Sequence, residues 1–510
     1  MEENTGETNM NESIAMNPNL LVRHLNKPKD QFTKADIIRF VKDNNIEKIN
    51  FRYCGWDGRL KTLNFIINSL EHLNDILSSG ERVDGSSLFP FVETGSSDLY
   101  VIPKYKTAFV NPFADVPTLD ILCSFFNRQG KPFDNSPEYI LKKAHKTMIE
   151  STGYSFETMG ELEYYIIADE EKLYPAINQK GYHESSPFNK FGEYRTEAMR
   201  LIAQAGGQIK YGHAEVGSFT HNGKIYEQNE IEFLPANVED AADQLVVAKW
   251  IMRQLAYKYG VTITFAPKIT VGKAGSGMHI HTRLMKDGKS VMLENNKLSD
   301  VAKRAIAGYM TVAASLTAFG NTSPTSYLRL VPHQEAPTNI CWGDSNRSVL
   351  VRVPLGWTDD AVDMVSKVNP QEPAEKHDFS QKQTVEWRAS DCSADVYLLM
   401  AGLTVGARTG LEMPDGLAVA EKTYVAVNIF DEKNKSKQSE LEQLPSSCVD
   451  SAAALERSKQ IYLNKGVFSE HMLDFLIANL RKYNDEHLRE ELGNDTNKII
   501  ELVSEYFHIG

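Results

Sequence analysis

The sequence predicts an α+β fold built in series: a small, mainly β module, a larger unit of strands and long helices around one big sheet, and a mostly helical stretch from about residue 411. Three observations carry this. Ile49, Phe51 and Tyr53 alternate with Lys48, Asn50 and Arg52, and the turn residues Asp57-Gly58 lead on to Leu60, which is a hairpin pattern. Ala241, Leu245, Val246, Ala248, Ile251, Leu255 and Tyr259 recur at helical spacing just before Val261, Ile263 and Phe265 alternate as a strand. Late in the chain Leu473, Leu476 and Leu480 line one helical face. A length of 510 residues accommodates roughly two to four structural units.

In chain order, residues 1–34 read as a polar N-terminal tail, or an arm packing on a neighbour, with Pro18 and Pro28 and little periodicity. Thr33 then caps a helix, with Asp36 in the capping-box position and Ile37, Ile38, Phe40 and Val41 on the apolar side. The module from 35 to 132 holds two small polar stretches, Val83-Asp84-Gly85-Ser86-Ser87 and Thr94-Gly95-Ser96-Ser97-Asp98, which read as loops. After Pro137 the pattern turns helical through Tyr139, Ile140, Leu141, Ala144 and Met148, opening a second unit that spans 133–510. Gly260 is placed to end the 240–259 helix. The stretch 355–383, rich in Pro, Lys, Asp and Gln, reads as a surface insertion.

The totals exclude several classes of function. A formal net charge of −13 argues against a general nucleic-acid binder, which needs a basic face, and suits the binding of cations. Cys54, Cys123, Cys341, Cys392 and Cys448 are scattered without a C-x-x-C pair, so neither a disulfide framework nor a zinc site is signalled. The start of the chain lacks a basic, apolar secretory pattern, and no apolar run approaches a membrane span, so a cytoplasmic protein with no membrane partner is expected.

The chemistry lies in strands that should be buried yet carry charge. In Met159-Gly160-Glu161-Leu162-Glu163-Tyr164-Tyr165-Ile166-Ile167 the two carboxylates share one face of an apolar strand. That is costly unless a cation or hydrogen bonds compensate them. His279 and His281, in the strand that follows the glycine-rich Gly272–Gly277 stretch, likewise share a face. Those glycines do not match a phosphate-loop spacing. Two more acidic stretches are Ala214-Glu215-Val216-Gly217 with Gln228-Asn229-Glu230-Ile231-Glu232-Phe233, and Thr384-Val385-Glu386-Trp387-Arg388. Carboxylates with one imidazole make a hard, oxygen-rich donor set that suits Mg²⁺ or Mn²⁺. Strand carboxylates two residues apart lie roughly 6.5 to 7 Å apart, room for two neighbouring ions that hold a nucleotide's phosphates. Arg329, Arg347 and Arg352 form a basic group suited to phosphate or carboxylate oxygens, although a strand arginine is more often paired structurally than catalytic.

These residues, in this order, resemble glutamine synthetase of the bacterial class I type. The matching motifs are Asp84-Gly85-Ser86-Ser87, Gly160-Glu161-Leu162-Glu163, Glu215-Val216-Gly217 with Gln228-Asn229-Glu230, Gly275-Ser276-Gly277-Met278-His279-Ile280-His281, Arg329-Leu330-Val331-Pro332 with Glu335-Ala336-Pro337, Asn346-Arg347-Ser348 and Glu386-Trp387-Arg388. The resemblance implies an N-terminal β-grasp domain and a catalytic domain with an open half β-barrel. It also implies homo-oligomeric rings, stacked hexamers making a dodecamer, with each active site shared between neighbouring subunits.

Carried over by motif, Glu163, Glu215 and Glu230 would hold a first metal, and Glu161, His279 and Glu386 a second. His281, Arg347 and Arg352 would meet ATP, while Gly275, Arg329, Glu335 and Arg388 would hold glutamate. Asp84 of the neighbouring subunit, Ser87, Tyr182, Glu215 and Glu335 would take the ammonium. Asp84, Glu335 and Arg347 would be catalytic. The implied reaction joins ammonia to the γ-carboxylate of glutamate through an acyl phosphate made from ATP.

Ala274 stands where the family usually has asparagine before Gly-Ser-Gly. Two alternatives follow: a γ-glutamyl ligase using another amine, or a catalytically silent member with a binding or regulatory role.

Overall fold

The structure is a computed structural model that describes residues 12–92, 97–331, 336–354, 356, 361, 363–375, 378–493 and 495–510. The stretch expected as a tail is ordered into the chain's own body from residue 12. Helix α1 (Leu20–Leu25), capped by the Asn19 side chain, buries Leu21, Val22 and Leu25. Six residues between polar flanks give too short a period to stand out in the sequence. Helix α2 (Lys34–Asp43) opens on the expected capping box, Thr33 and Asp36 each holding the other's backbone N–H.

The first sheet contains β1 (Lys48–Cys54), β2 (Leu60–Ile66), β3 (Glu81–Asp84), β4 (Asp98–Pro103) and β5 (Thr118–Phe126), in the order β2-β1-β5-β4-β3, with a short strand at 109–110 added to β5. β1 and β2 form the expected antiparallel hairpin, and β1 runs parallel to β5. The polar side of β1 does not face water. The Asn50 amide and Arg52 guanidinium are buried, 2.7 and 2.8 Å from the Asp120 carboxylate, and Trp250 of the catalytic region lies 4.3 Å beneath Arg52. The Val83–Ser87 stretch is the end of β3 followed by a helical turn, α3 (Gly85–Leu88), with Asp84 as its N-cap. Of the second polar stretch, residues 93–96 lie outside the described residues.

Helix α4 (Pro137–Thr152) leads into the second sheet, whose strands curl into an open half-barrel. Its strands are β6 (Ser155–Asp169), β7 (Ile209–His221), β8 (Lys224–Phe233), β9 (Thr262–Thr264), β10 (Met278–Lys286), β11 (Trp342–Asp344), β12 (Val351–Val353) and β13 (Val385–Trp387). The main path runs β11-β12-β13-β10-β6-β8-β7, with β9 and other short strands added at its margins. The strand expected over 261–265 is only three residues long, paired to β6. The long helix, Val238–Tyr259, ends at Gly260 and packs on β6. Lys104 of the first sheet reaches the Asp243 carboxylate of this helix at 2.7 Å.

The helices Asp300–Gly320 and Val396–Glu412 pack on each other, and the second also packs on α4. Cys448–Leu463 and Glu470–Arg481 continue the helical part, the latter burying Leu473, Leu476 and Leu480 as the spacing predicts, and Leu488–Leu492 and Thr496–Glu505 end it. One continuous apolar cluster runs through both sheets and these helices. In the 355–383 stretch, Val365 and Val368 are exposed. Among the described residues, no helix is long and apolar enough to cross a membrane.

Candidate active site

Antiparallel pairing places residues directly opposite each other on one sheet face, with Cβ atoms about 5 Å apart. Here that register gathers the charge. Glu161 on β6 faces Glu232 on β8 and His279 on β10, while Glu163 faces Glu230, which faces His213 on β7. On the next strands, His281 faces Glu386 on β13, and Glu386 faces Arg352 on β12. Strands that are apolar on one face thus build an ionisable floor on the other. Glu161, Glu163, Glu215, Glu230, His279 and Glu386 all line one cavity of about 780 Å³.

The contacts are close. Glu161 meets His279 Nδ1 at 3.1 Å and His281 Nε2 at 2.7 Å, and the second ring nitrogen of His281 lies 2.8 Å from Thr384 Oγ1. Gly277 N–H donates to Glu163 at 2.6 Å. A Cβ at Gly277 would sit 2.5 Å from the Arg329 guanidinium, so only glycine lets the turn pass here. Arg388 and Arg352 each approach the Glu386 carboxylate at 3.1 Å. Ligand atoms of Glu161, His279 and Glu386, and those of Glu163, Glu230 and His279, each lie within 4.8 Å of one another.

Burial and crowding set the charge states. Burial raises Glu161, but the His281 and His279 imidazoles outweigh it and hold the carboxyl well below the usual range. Glu230 lacks such help: burial, then Glu161, Glu163, Glu215 and Glu232, push it well above. Glu386 stays below its ordinary value because Arg388 and the two histidines offset burial and the nearby Glu161. His281 is raised, Glu161 overcoming the effect of burial. A buried set of carboxylate oxygens with one imidazole, one carboxyl driven up by its neighbours, fits a divalent cation.

The other expected residues divide. Tyr182, Gly275, His281, Arg329, Arg347, Arg352 and Arg388 line the same cavity. Arg329 is buried, and its guanidinium donates to the carbonyls of Ala389 at 2.8 Å and Arg388 at 3.3 Å. Asp84 and Ser87 do not line it; the Asp84 carboxylate instead accepts from Ser86 N–H, Ser86 Oγ and Ser87 Oγ on α3. Glu335 lies outside the described residues.

The sequence reading assigned no role to His183, Lys210, Tyr211, His213 or Glu232, which also line the cavity. Lys210 pairs with Glu232 at 2.8 Å, and His213 lies 3.3 Å from Glu230. A signal was present: His213 stands two before Glu215, and Glu232 two after Glu230, the same-face spacing of a strand. What hid the rest is a register shift between Ala214 and Ser218 that lifts Glu215 out of the ladder.

The chain is similar to known proteins along most of its length. The profile of the glutamine synthetase catalytic domain matches residues 134–495, and that of the glutamine synthetase β-grasp domain matches 45–128. A glutamine synthetase of Frankia alni is 30% identical over 429 residues, covering 75% of this chain and 83% of its own. One from Nostoc is 28% identical over 487 residues, 88% and 95% of the two chains. In fold, the chain is similar to the cryo-EM structure of Plasmodium falciparum glutamine synthetase, with a TM-score of 0.72 at 19% identity over 90% of this chain and 97% of that one. It is also similar to a structure titled apo GmaS without ligand, with a TM-score of 0.68 at 19% identity over 89% and 99%. With a β-grasp sheet, a half-barrel and a carboxylate-lined cavity, the chain belongs to the glutamine synthetase family.

Proposed function

We infer that the protein is a glutamate–ammonia ligase, joining ammonia to the γ-carboxylate of L-glutamate at the expense of ATP and releasing glutamine, ADP and phosphate. One observation carries this reading: all six carboxylate and imidazole candidates share a single cavity with Arg329, Arg347, Arg352 and Arg388. Family membership supports the same activity, a step of nitrogen metabolism.

Glu163, Glu215 and Glu230 would hold one divalent cation, Mg²⁺ or Mn²⁺, and Glu161, His279 and Glu386 a second. Bound there, the cations neutralise phosphate charge. His281, Arg347 and Arg352 orient the triphosphate, and Arg347 meets the charge that grows on the transferring phosphoryl group. Gly275, Arg329 and Arg388 hold glutamate so that its γ-carboxylate faces the γ-phosphate. Attack gives γ-glutamyl phosphate and ADP.

Ammonium must lose a proton before it can attack. Ser87, Tyr182, Glu215 and Glu335, with Asp84 of a neighbouring subunit, would form the anionic pocket that draws it in and takes that proton. The free amine then displaces phosphate. In one chain Asp84 sits on the β-grasp sheet and outside the cavity lining, which supports a ring in which adjacent subunits complete each site. We infer a homo-oligomer of this kind, working in the cytoplasm.

Ala274 favours a second reading, in which a larger amine replaces ammonia. Phosphate release from ATP and glutamate is measured with ammonium and with a panel of alkylamines. Release with ammonium at least as fast as with any amine upholds the ligase; release with an amine only overturns it in favour of the second reading; no release with any of them overturns both.

A further inference from the structure

The turn that carries Gly275 is held from below by the half-barrel. Tyr165 Oη donates to Ala274 O at 2.9 Å, Gln228 Nε2 to Gly275 O at 2.9 Å, and Lys268 Nζ to Lys273 O at 2.6 Å. Ala274 N–H points the other way and is met at 2.8 Å by the side-chain oxygen of Gln179. Gln179 belongs to a different structure. It begins a short ladder in which Gln179, Gly181 and His183 donate backbone N–H groups to the carbonyls of Ser218, Val216 and Ala214, at 2.7, 3.2 and 2.9 Å.

That ladder runs along the bulge that lifts Glu215 out of register. It fits closely: a Cβ on Gly181 would lie 2.7 Å from Glu215 O. Gln179 itself has φ +55°, a left-handed conformation that costs a non-glycine residue about 1 kcal/mol or more and persists where surroundings enforce it. Its backbone therefore grips the strand bearing Glu215 while its side chain grips the turn bearing Gly275.

We propose that Gln179 is a positioning residue that, beside Gln228, holds the Ala274–Gly275 turn at its distance from the Glu215 bulge, and so sets the bound glutamate against the amine. The proposal deepens the ligase reading and rests on it. Without the Gln179 oxygen, Ala274 N–H loses that acceptor and the turn keeps to the Glu215 strand only through Gln228, which joins Gly217 N–H to Gly275 O, and through Lys273, which reaches Asn178 Oδ1 and the Phe219 ring. ATP, held by the arginines across the cavity, is not touched by this change.

Two variants of the full-length enzyme test it. Gln179→Gly accepts the left-handed backbone without a side chain, and Gln179→Glu keeps an acceptor oxygen at the same reach. Steady-state turnover is measured with ATP, glutamate and ammonium, and amide exchange over 272–276 is followed without substrates. Gln179→Gly is expected to raise the KM for glutamate about fivefold, the worth of one neutral hydrogen bond, with the KM for ATP unchanged and Tm not lowered. Exchange at 272–276 should quicken in the same variant, and Gln179→Glu should restore both.

An unchanged glutamate KM, a parallel rise in both KM values, or failure of Gln179→Glu to restore them overturns the positioning role. The exchange arm separates this from the reading beneath it. Wild-type enzyme that turns over nothing, with faster exchange in Gln179→Gly, sinks the ligase reading and the substrate role with it but leaves the tether standing. Identical exchange in all three proteins sinks the tether whatever the turnover.

Discussion

His279 Nδ1 lies 3.1 Å from Glu161 Oε2 across the pairing of two neighbouring antiparallel strands, and the same imidazole reaches Glu386 at 3.6 Å. One imidazole is thereby set between two carboxylates that would otherwise repel in a buried cavity. His279→Ala should weaken Mn²⁺ binding by at least about tenfold and abolish turnover. Calorimetric titration of the metal-free variant checks this, and wild-type affinity would remove His279 from the cation site.

Glu230 gives a pH prediction for the metal-free protein. Its folded carboxyl is raised by burial and four neighbouring glutamates, so its stabilising contribution is present at low pH and lost as pH rises through the elevated value. Thermal stability without metal should therefore fall as pH rises above the ordinary carboxylate range. A divalent cation at about 100 times its Kd adds about 2.7 kcal/mol to the wild type. Glu230→Gln should be the more stable protein without metal at pH 8 and gain less from the cation, as melting curves with and without Mg²⁺ will show.

Arg329 spends its planar fork on the carbonyls of Ala389 and Arg388, and burial lowers its pKa. Lysine offers a point charge in place of that fork. Arg329→Lys should raise the KM for glutamate roughly tenfold while leaving that for ATP within about twofold. Steady-state kinetics with each substrate varied in turn decides it.

Asp395 caps the helix Val396–Glu412 through Leu398 N–H, while its second carboxylate oxygen has no hydrogen-bond partner among the described residues. Burial raises its pKa to about 6 against the hydrogen bonds and Lys249 that lower it. Raised in the fold, the group stabilises below its unfolded pKa and loses that contribution as pH passes about 6. Asp395→Asn keeps the cap and removes the charge. It should add about 1–2 kcal/mol at pH 8, allowing for partial exposure, and nothing at pH 4, as denaturant titrations at the two pH values will show.

Much of the site was legible because its physics is local. Glu161, Glu163, Glu230 and Glu386 interrupt apolar strands at a spacing that shares a face, and the antiparallel register then brings those faces together. Helices with a complete apolar period, such as Val238–Tyr259 and Glu470–Arg481, were equally plain. What escaped depends on partners far along the chain. Asn50 and Arg52 read as a wet strand face until Asp120 and Trp250 cover them. His213 and Lys210 precede a bulge that breaks the alternation on which a sequence reading relies. The helix Leu20–Leu25 is too short for periodicity to rise above its polar flanks.

Among the described residues, two of the three candidate donor groups share a single imidazole, that of His279, one with Glu161 and Glu386 and the other with Glu163 and Glu230. An ion that claimed that ring nitrogen would leave its neighbour to the carboxylate oxygens of its own group, with His213 the next imidazole at hand beside Glu230. The two positions would then differ in donor set, and unequal affinities for a divalent cation are the expected outcome.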